Sequence, residues 1–191
     1  MKEPQKAAVV IGASAGAWDA LSVILPALPQ TFSLPVMIVV HLPPDRKSLL
    51  AELFAEKCSM DVAEAEDKEP ILGGVIYFAP PDYHLLIEPN NTLSLSSDEP
   101  VLFSRPSIDV LFESAADAYG PALTAIVLTG ASEDGARGLA AVIAAGGTAI
   151  VQRPEDAYAA AMPQAALARS PGARILSLEE ITLWLQAIGK V

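Results

Sequence analysis

The sequence predicts a doubly wound α/β fold with a mainly parallel sheet, on the strength of three observations. Short apolar, β-branched runs (7–11, 36–40 and 123–128) are each followed by a stretch with helical periodicity. Those runs are apolar at every position rather than at alternate ones, the pattern of strands buried on both faces. Strand–helix alternation of this kind favours right-handed crossovers with helices on both faces of the sheet, a three-layer, Rossmann-like arrangement. Between 62 and 95 the texture changes to short strands broken by turn clusters, which reads as a β-ribbon insertion within that fold.

In chain order, Ala7–Ile11 is the first buried strand. Ala20, Leu21, Ile24, Leu25 and Leu28 then form a helical stripe that ends near Pro26 and Pro29. Val36–Val40 is a second strand, closed by His41-Leu42-Pro43-Pro44; Asp45 is expected to cap a helix reaching Lys57, with Leu49, Leu50, Leu53 and Phe54 inward. The inserted ribbon comprises Val62, Gly73–Phe78, His84–Ile87 and Thr92–Leu95, punctuated by Pro80-Pro81-Asp82 and Asn90-Asn91. Ser107 caps a helix to Tyr119, with Val110, Leu111 and Ala115 facing in. Leu123–Leu128 is the third strong strand, and a helix over Ala136–Ala145 leads to strand Thr148–Val151. A short helix from Met162 to Ala168, a strand-like Ile175-Leu176 and an amphipathic helix over Leu178–Ile188 close the chain.

At 191 residues the chain fits one domain, 1–191, and 52% hydrophobic against 18% charged residues marks it as globular. Acidic residues outnumber basic ones 23 to 12, a formal charge of −11, which argues against a nucleic-acid or anionic-membrane surface. The single cysteine, Cys58, excludes an internal disulfide and reads as packing in a reducing compartment. The N-terminal apolar run has five residues, too few for a signal peptide. A cytoplasmic location with no membrane insertion is the expectation.

Three strand ends each deliver one reactive side chain. Gly12-Ala13-Ser14-Ala15-Gly16 places Ser14 on a tight strand-to-helix turn, where a hydroxyl is exposed beside free backbone N–H groups. His41 closes the second strand, and Asp134 follows the third. Parallel strands end on one edge, so the three can converge as nucleophile, base and orienting carboxylate. Asp134 can alternatively cap the helix after Gly135, and the other histidine, His84, suits a structural or substrate-lining role. The order Ser, His, Asp is not that of α/β-hydrolases. A dinucleotide fingerprint fails because Ser14 stands where its middle glycine belongs. Two histidines without ligand-spaced carboxylates give no metal motif.

Six stretches carry a family resemblance: Ile-Gly-Ala-Ser-x-Gly at 11–16, Val-Val-His-Leu-Pro at 39–43, Ala-Pro-x-x-Tyr-His-Leu at 79–85, Ser-Arg-Pro-Ser-Ile-Asp-Val-Leu-Phe at 104–112, Leu-Thr-Gly-x-x-x-Asp-Gly-Ala-x-Gly-Leu at 128–139, and Ala-Met-Pro-Gln-Ala-Ala at 161–166. Together they resemble the catalytic domain of the CheB chemotaxis protein-glutamate methylesterase/protein-glutamine glutaminases. The resemblance places that family's triad on Ser14, His41 and Asp134. It implies hydrolysis of glutamyl γ-methyl esters, with deamidation of glutamine at the same site, on the cytoplasmic helices of methyl-accepting chemoreceptors. It implies no cofactor and no metal. The family's oxyanion donor, a backbone N–H at a methionine position, falls on Ala131, and Ser132 replaces the next glycine. Ser14-Ala15-Gly16-Ala17 stands where the family has Ser-Thr-Gly-Gly. No receiver domain precedes the serine turn, so a stand-alone member or a fragment is expected, with a separate regulatory protein in place of the receiver. The alternative is a non-catalytic receptor-binding module of the same fold, and a small-molecule esterase is a third reading.

Overall fold

The structure is a computed structural model that describes residues 7–42 and 48–189. Its centre is a wholly parallel seven-stranded sheet. In chain order the elements are β1 (Ala8–Ala13), α1 (Ala17–Ile24), β2 (Val36–Val40), α2 (Leu50–Ala55), β3 (Asp61–Glu64), β4 (Val75–Phe78), β5 (His84–Ile87) and β6 (Leu93–Ser96), followed by α3 (Ile108–Tyr119), β7 (Leu123–Val127), α4 (Ala136–Ala144), β8 (Thr148–Gln152), α5 (Ala161–Arg169), β9 (Arg174–Leu176) and α6 (Leu178–Ile188). The strand order is β3-β4-β2-β1-β7-β8-β9. The chain builds one half outward from β1 through β2, then returns to build the other half from β7. The reversal beside β1 is where such sheets open a crevice at the carboxyl ends of their strands.

Two apolar layers clothe the sheet, and strand residues alternate between them as the two-residue period requires. Val9, Ile11, Ile38, Ile126 and Ile150 pack under α1, α2 and α6. Val10, Met37, Val39, Val127 and Val151 pack under α3, α4 and α5. α6 carries a capping box: Ser177 Oγ accepts the Glu180 N–H while the Glu180 carboxylate accepts the Ser177 N–H. Gly12 lets α3 sit directly on β1, because a β-carbon there would collide with Ile108.

The expected ribbon is present but smaller than the sequence pattern implied. Only β5 and β6 pair antiparallel; Val62 lies in β3 and Val75–Phe78 form β4, both paired parallel within the main sheet. Ile76, Tyr77 and Phe78 are buried on both faces, so β4 is an interior strand. The connection from β3 to β4 contains no helix, which removes the usual sequence sign of a parallel pair. In the second helix, Phe54 is buried but Leu49 and Leu53 are exposed, since six helical residues turn Leu50, Ala51 and Phe54 to the core and leave those two outside. The expected cap Asp45 lies outside the described residues. No helix among the described residues is long and apolar enough to cross a membrane.

Candidate active site

Ser14, His41 and Asp134 meet where the sheet order reverses. β1 and β2 are in parallel register, with Ala13 opposite Val40. One step on, Ser14 therefore lies level with His41, one interstrand spacing away. The ladder is carried to its end by the His41 N–H donating to the Ala13 carbonyl (3.1 Å) and the Ser14 N–H donating to the Thr129 carbonyl (2.9 Å).

The serine turn forms as the residue types require. The Ala17 N–H donates to the Ser14 carbonyl (2.9 Å), closing a tight turn into α1. Gly16 caps that helix with φ 83°, a backbone conformation that a side chain would strain. Among the described residues, nothing accepts the N–H groups of Ala15, Gly16 or Ala131, and the half-buried Ser14 hydroxyl has no hydrogen-bond partner.

The acid end is organised differently. His41 Nε2 lies 2.7 Å from Asp134 Oδ2, with the two side chains 12% and 0% exposed. A carboxylate only accepts, so this contact fixes the neutral imidazole with its proton on Nε2 and its lone pair on Nδ1. Asp134 accepts three further hydrogen bonds: from Ser107 Oγ (2.8 Å), from the Ile108 N–H (2.7 Å) and from the Asp109 N–H (2.9 Å). Burial pushes the Asp134 carboxyl up. The hydrogen bond from His41 and the two N–H groups outweigh it and hold the acid below the ordinary aspartate range.

Asp134 does cap a helix, but not the one that follows it. It caps α3, whereas α4 is capped by Asp109, which accepts the N–H groups of Gly135 (3.0 Å) and Gly138 (2.7 Å). Each aspartate lies near the start of one helix and satisfies the orphan N–H groups of the other. Burial raises the Asp109 carboxyl and the nearby Asp134 charge adds to this, against the N–H groups and Arg137.

Ser107 was expected to cap α3 with its hydroxyl; the hydroxyl instead binds Asp134, and its backbone N–H donates to His84 Nδ1 (3.1 Å). The opposite nitrogen of His84 meets the Glu99 carbonyl at 3.0 Å. His84 is therefore buried and structural: β5 seats it beneath Ser107, one bond removed from Asp134. Ser132 Oγ accepts the Asp134 N–H (3.1 Å), and its backbone does not enter the left-handed region, so the serine fits the loop where a glycine was expected. Among the described residues there is no group of three or more side chains suited to hold a metal.

The structure thus brings His41 and Asp134 into contact and sets Ser14 beside them. No hydrogen bond joins Ser14 to His41 among the described residues; such bonds often tighten only when substrate binds. Ser107, Asp109 and His84 complete the acid end. In the sequence Ser107 reads as a local cap of α3 and His84 as a structural or substrate-lining residue, while nothing local marks Asp109.

A parallel α/β sheet with serine, histidine and aspartate at neighbouring strand ends has the layout of a serine hydrolase. The family model for CheB methylesterase matches residues 9–185, and the chain belongs to that family. A relative from Leptospira interrogans, named as a protein-glutamate methylesterase/protein-glutamine glutaminase, is 46% identical over 174 residues, covering 91% of this chain and 90% of the relative. The protein-glutamate methylesterase/protein-glutamine glutaminase 1 of Paramagnetospirillum magneticum is 35% identical over 184 residues, and the match spans 48% of its length. The crystal structure of the Thermotoga maritima CheB methylesterase catalytic domain superposes with a TM-score of 0.92 at 31% identity, covering 97% of this chain and all of that one.

Proposed function

We propose that the chain, as one catalytic unit, hydrolyses glutamyl γ-methyl esters on methyl-accepting chemoreceptors in the cytoplasm, with Ser14 as nucleophile. The observation that carries this reading is the 2.7 Å contact between buried Asp134 and His41, at the end of the strand that runs beside Ser14.

The carboxylate holds Nε2–H, which leaves Nδ1 of His41 as the base. Nδ1 takes the Ser14 proton as Oγ attacks the γ-carbonyl carbon. The tetrahedral oxyanion is met by the uncommitted N–H of Ala131 and that of Ala15, the residue after the nucleophile. The protonated imidazole, balanced by Asp134, returns the proton to the departing methoxide, and methanol leaves. Water then attacks the glutamyl–Ser14 ester with His41 again as base, releasing a glutamate side chain and restoring the serine. The same two steps on a glutamine release ammonia in place of methanol.

The test is methanol release from methyl-labelled chemoreceptor membranes. Wild-type protein is expected to release methanol, and the Ser14→Ala and His41→Ala variants to release none above background. Release that persists in Ser14→Ala contradicts the assignment; tight receptor binding without release by the wild type favours a binding module of the same fold.

A further inference from the structure

The exposed aromatic side chains among the described residues share one edge of the molecule. Trp18, Tyr83, Phe103 and Tyr158 are the exposed ones. Trp18 lies in the first turn of α1, Tyr83 beyond β4, Phe103 ahead of α3 and Tyr158 beyond β8. All four positions border the sheet edge that carries Ser14 and His41, and the opposite edge has no counterpart.

Phe103 is the extreme case. Val101 and Ser104 exchange two backbone hydrogen bonds (3.0 and 2.9 Å), which makes Leu102 and Phe103 the central residues of a two-residue turn. Both have positive φ, 49° and 64°. That is the type I′ pattern, for which Asn-Gly is preferred and large side chains are poorly suited. The phenyl ring gains no packing for this strain, because it is fully exposed. Backbone strain of this kind persists where the surroundings enforce it. Here Arg105, beside the turn, is bound to Asp82 (2.7 Å) and to the carbonyls of Ser97 and Asp98.

Phe103 borders a cavity of about 140 Å³ whose walls join the apolar Leu42, Pro100 and Pro106 to His41 and the Asp82–Arg105 ion pair. On the other flank, Tyr158 is 81% exposed and its β-carbon lies against Gly16 of the serine turn. The neighbouring Ala159 N–H, bound to Thr129 Oγ1 (2.9 Å), holds it there. Ser14 and His41 thus lie between two outward-facing aromatic rings.

We propose that Phe103, with Tyr158 on the opposite flank, anchors the protein segment that carries the esterified glutamate, and that an apolar side chain neighbouring that glutamate enters the cavity between Phe103 and His41. This rests on the esterase reading. Protein interfaces concentrate binding energy on aromatic anchors. The site is continuous with the ring pair, and an enzyme of formal charge −11 has no net electrostatic attraction for a substrate that becomes an acid. Apolar contact with the rings therefore supplies the grip, and a small ester has no flanking residues to lay against them.

The experiment compares two substrates: methyl-esterified chemoreceptor membranes, and N-acetylglutamate γ-methyl ester as the small ester. Phe103→Ala and Tyr158→Ala are each expected to lower kcat/KM on the receptor by roughly tenfold through KM, with small-ester turnover within about twofold of wild type. The double change Leu102→Asn with Phe103→Gly installs the dipeptide the turn prefers, and is expected to raise the melting temperature while receptor turnover falls equally. Unchanged receptor kinetics, or an equal fall on both substrates, overturns the anchor alone. Wild-type turnover of neither ester overturns the esterase reading and the anchor with it.

Discussion

The two ends of the site are built on opposite plans. At the acid end, Asp134 is fully buried and accepts four hydrogen bonds, one from His41 beyond β2 and three from the start of α3. At the serine end, the Ser14 hydroxyl and the N–H groups of Ala15, Gly16 and Ala131 have no partner among the described residues. A buried carboxylate must be satisfied or it is lost to protonation, so its position is over-determined. Groups that must meet a reacting atom are kept uncommitted, since any bond made beforehand would have to be broken. In the proposed reaction one end supplies stability and the other reactivity.

That contrast is sharpest when each end is removed in turn. Ser14→Ala is expected to lower ester turnover by about 10⁴-fold or more while leaving the unfolding free energy within about 0.5 kcal/mol of wild type. Asp134→Ala is expected to lose turnover and also about 3 kcal/mol of stability, because two helix N–H groups and His41 are left buried without an acceptor. Paired kinetics and urea unfolding check both. Equal destabilisation by the two variants breaks the comparison.

Acid titration separates the ends next. The Asp134 carboxyl lies lower in the folded chain than its ordinary value of 3.8. Its contribution to stability is complete above that ordinary value, and is lost as pH falls through the lower native one. Asp109, raised by burial and by Asp134, has the opposite sign: the folded state disfavours its ionised form, and that cost disappears on acidification. Urea unfolding between pH 6 and 3 should therefore show a shallower acid-side loss in Asp134→Asn than in wild type. Ser14→Ala should follow the wild-type curve.

Smaller effects grade the acid end itself. Ser107→Ala removes one of the four donors to Asp134 and is expected to cost about 1–2 kcal/mol and roughly tenfold in kcat, with Ser107→Thr restoring most of both. Ser132→Gly removes the acceptor of the Asp134 N–H at a partly exposed position and is expected to cost under about 1 kcal/mol, read from the same unfolding curves.

The parts of this molecule legible in its sequence are those set by local pattern. β2 and α6 occupy the residues their periodicity marked, and the three strand ends delivered Ser14, His41 and Asp134 to one edge. What was not legible depends on partners distant in the chain. Val62, set between the charged Asp61 and Glu64, and the short apolar run Val75–Phe78 pair with the parallel sheet in a way no local pattern encodes. Ser107 and Asp134 both looked like caps of the helices that follow them. The exchange of caps between α3 and α4, and the burial of His84 beneath Ser107, require the fold before they can be seen.

Whether His41, held by Asp134, activates Ser14 is decided by serine-directed phosphonylation followed by intact mass. One phosphonate is expected on the wild-type chain, located at Ser14, with no label on Ser14→Ala and labelling slowed by orders of magnitude in His41→Ala. A label on another residue, or an undiminished rate without His41, contradicts that activation.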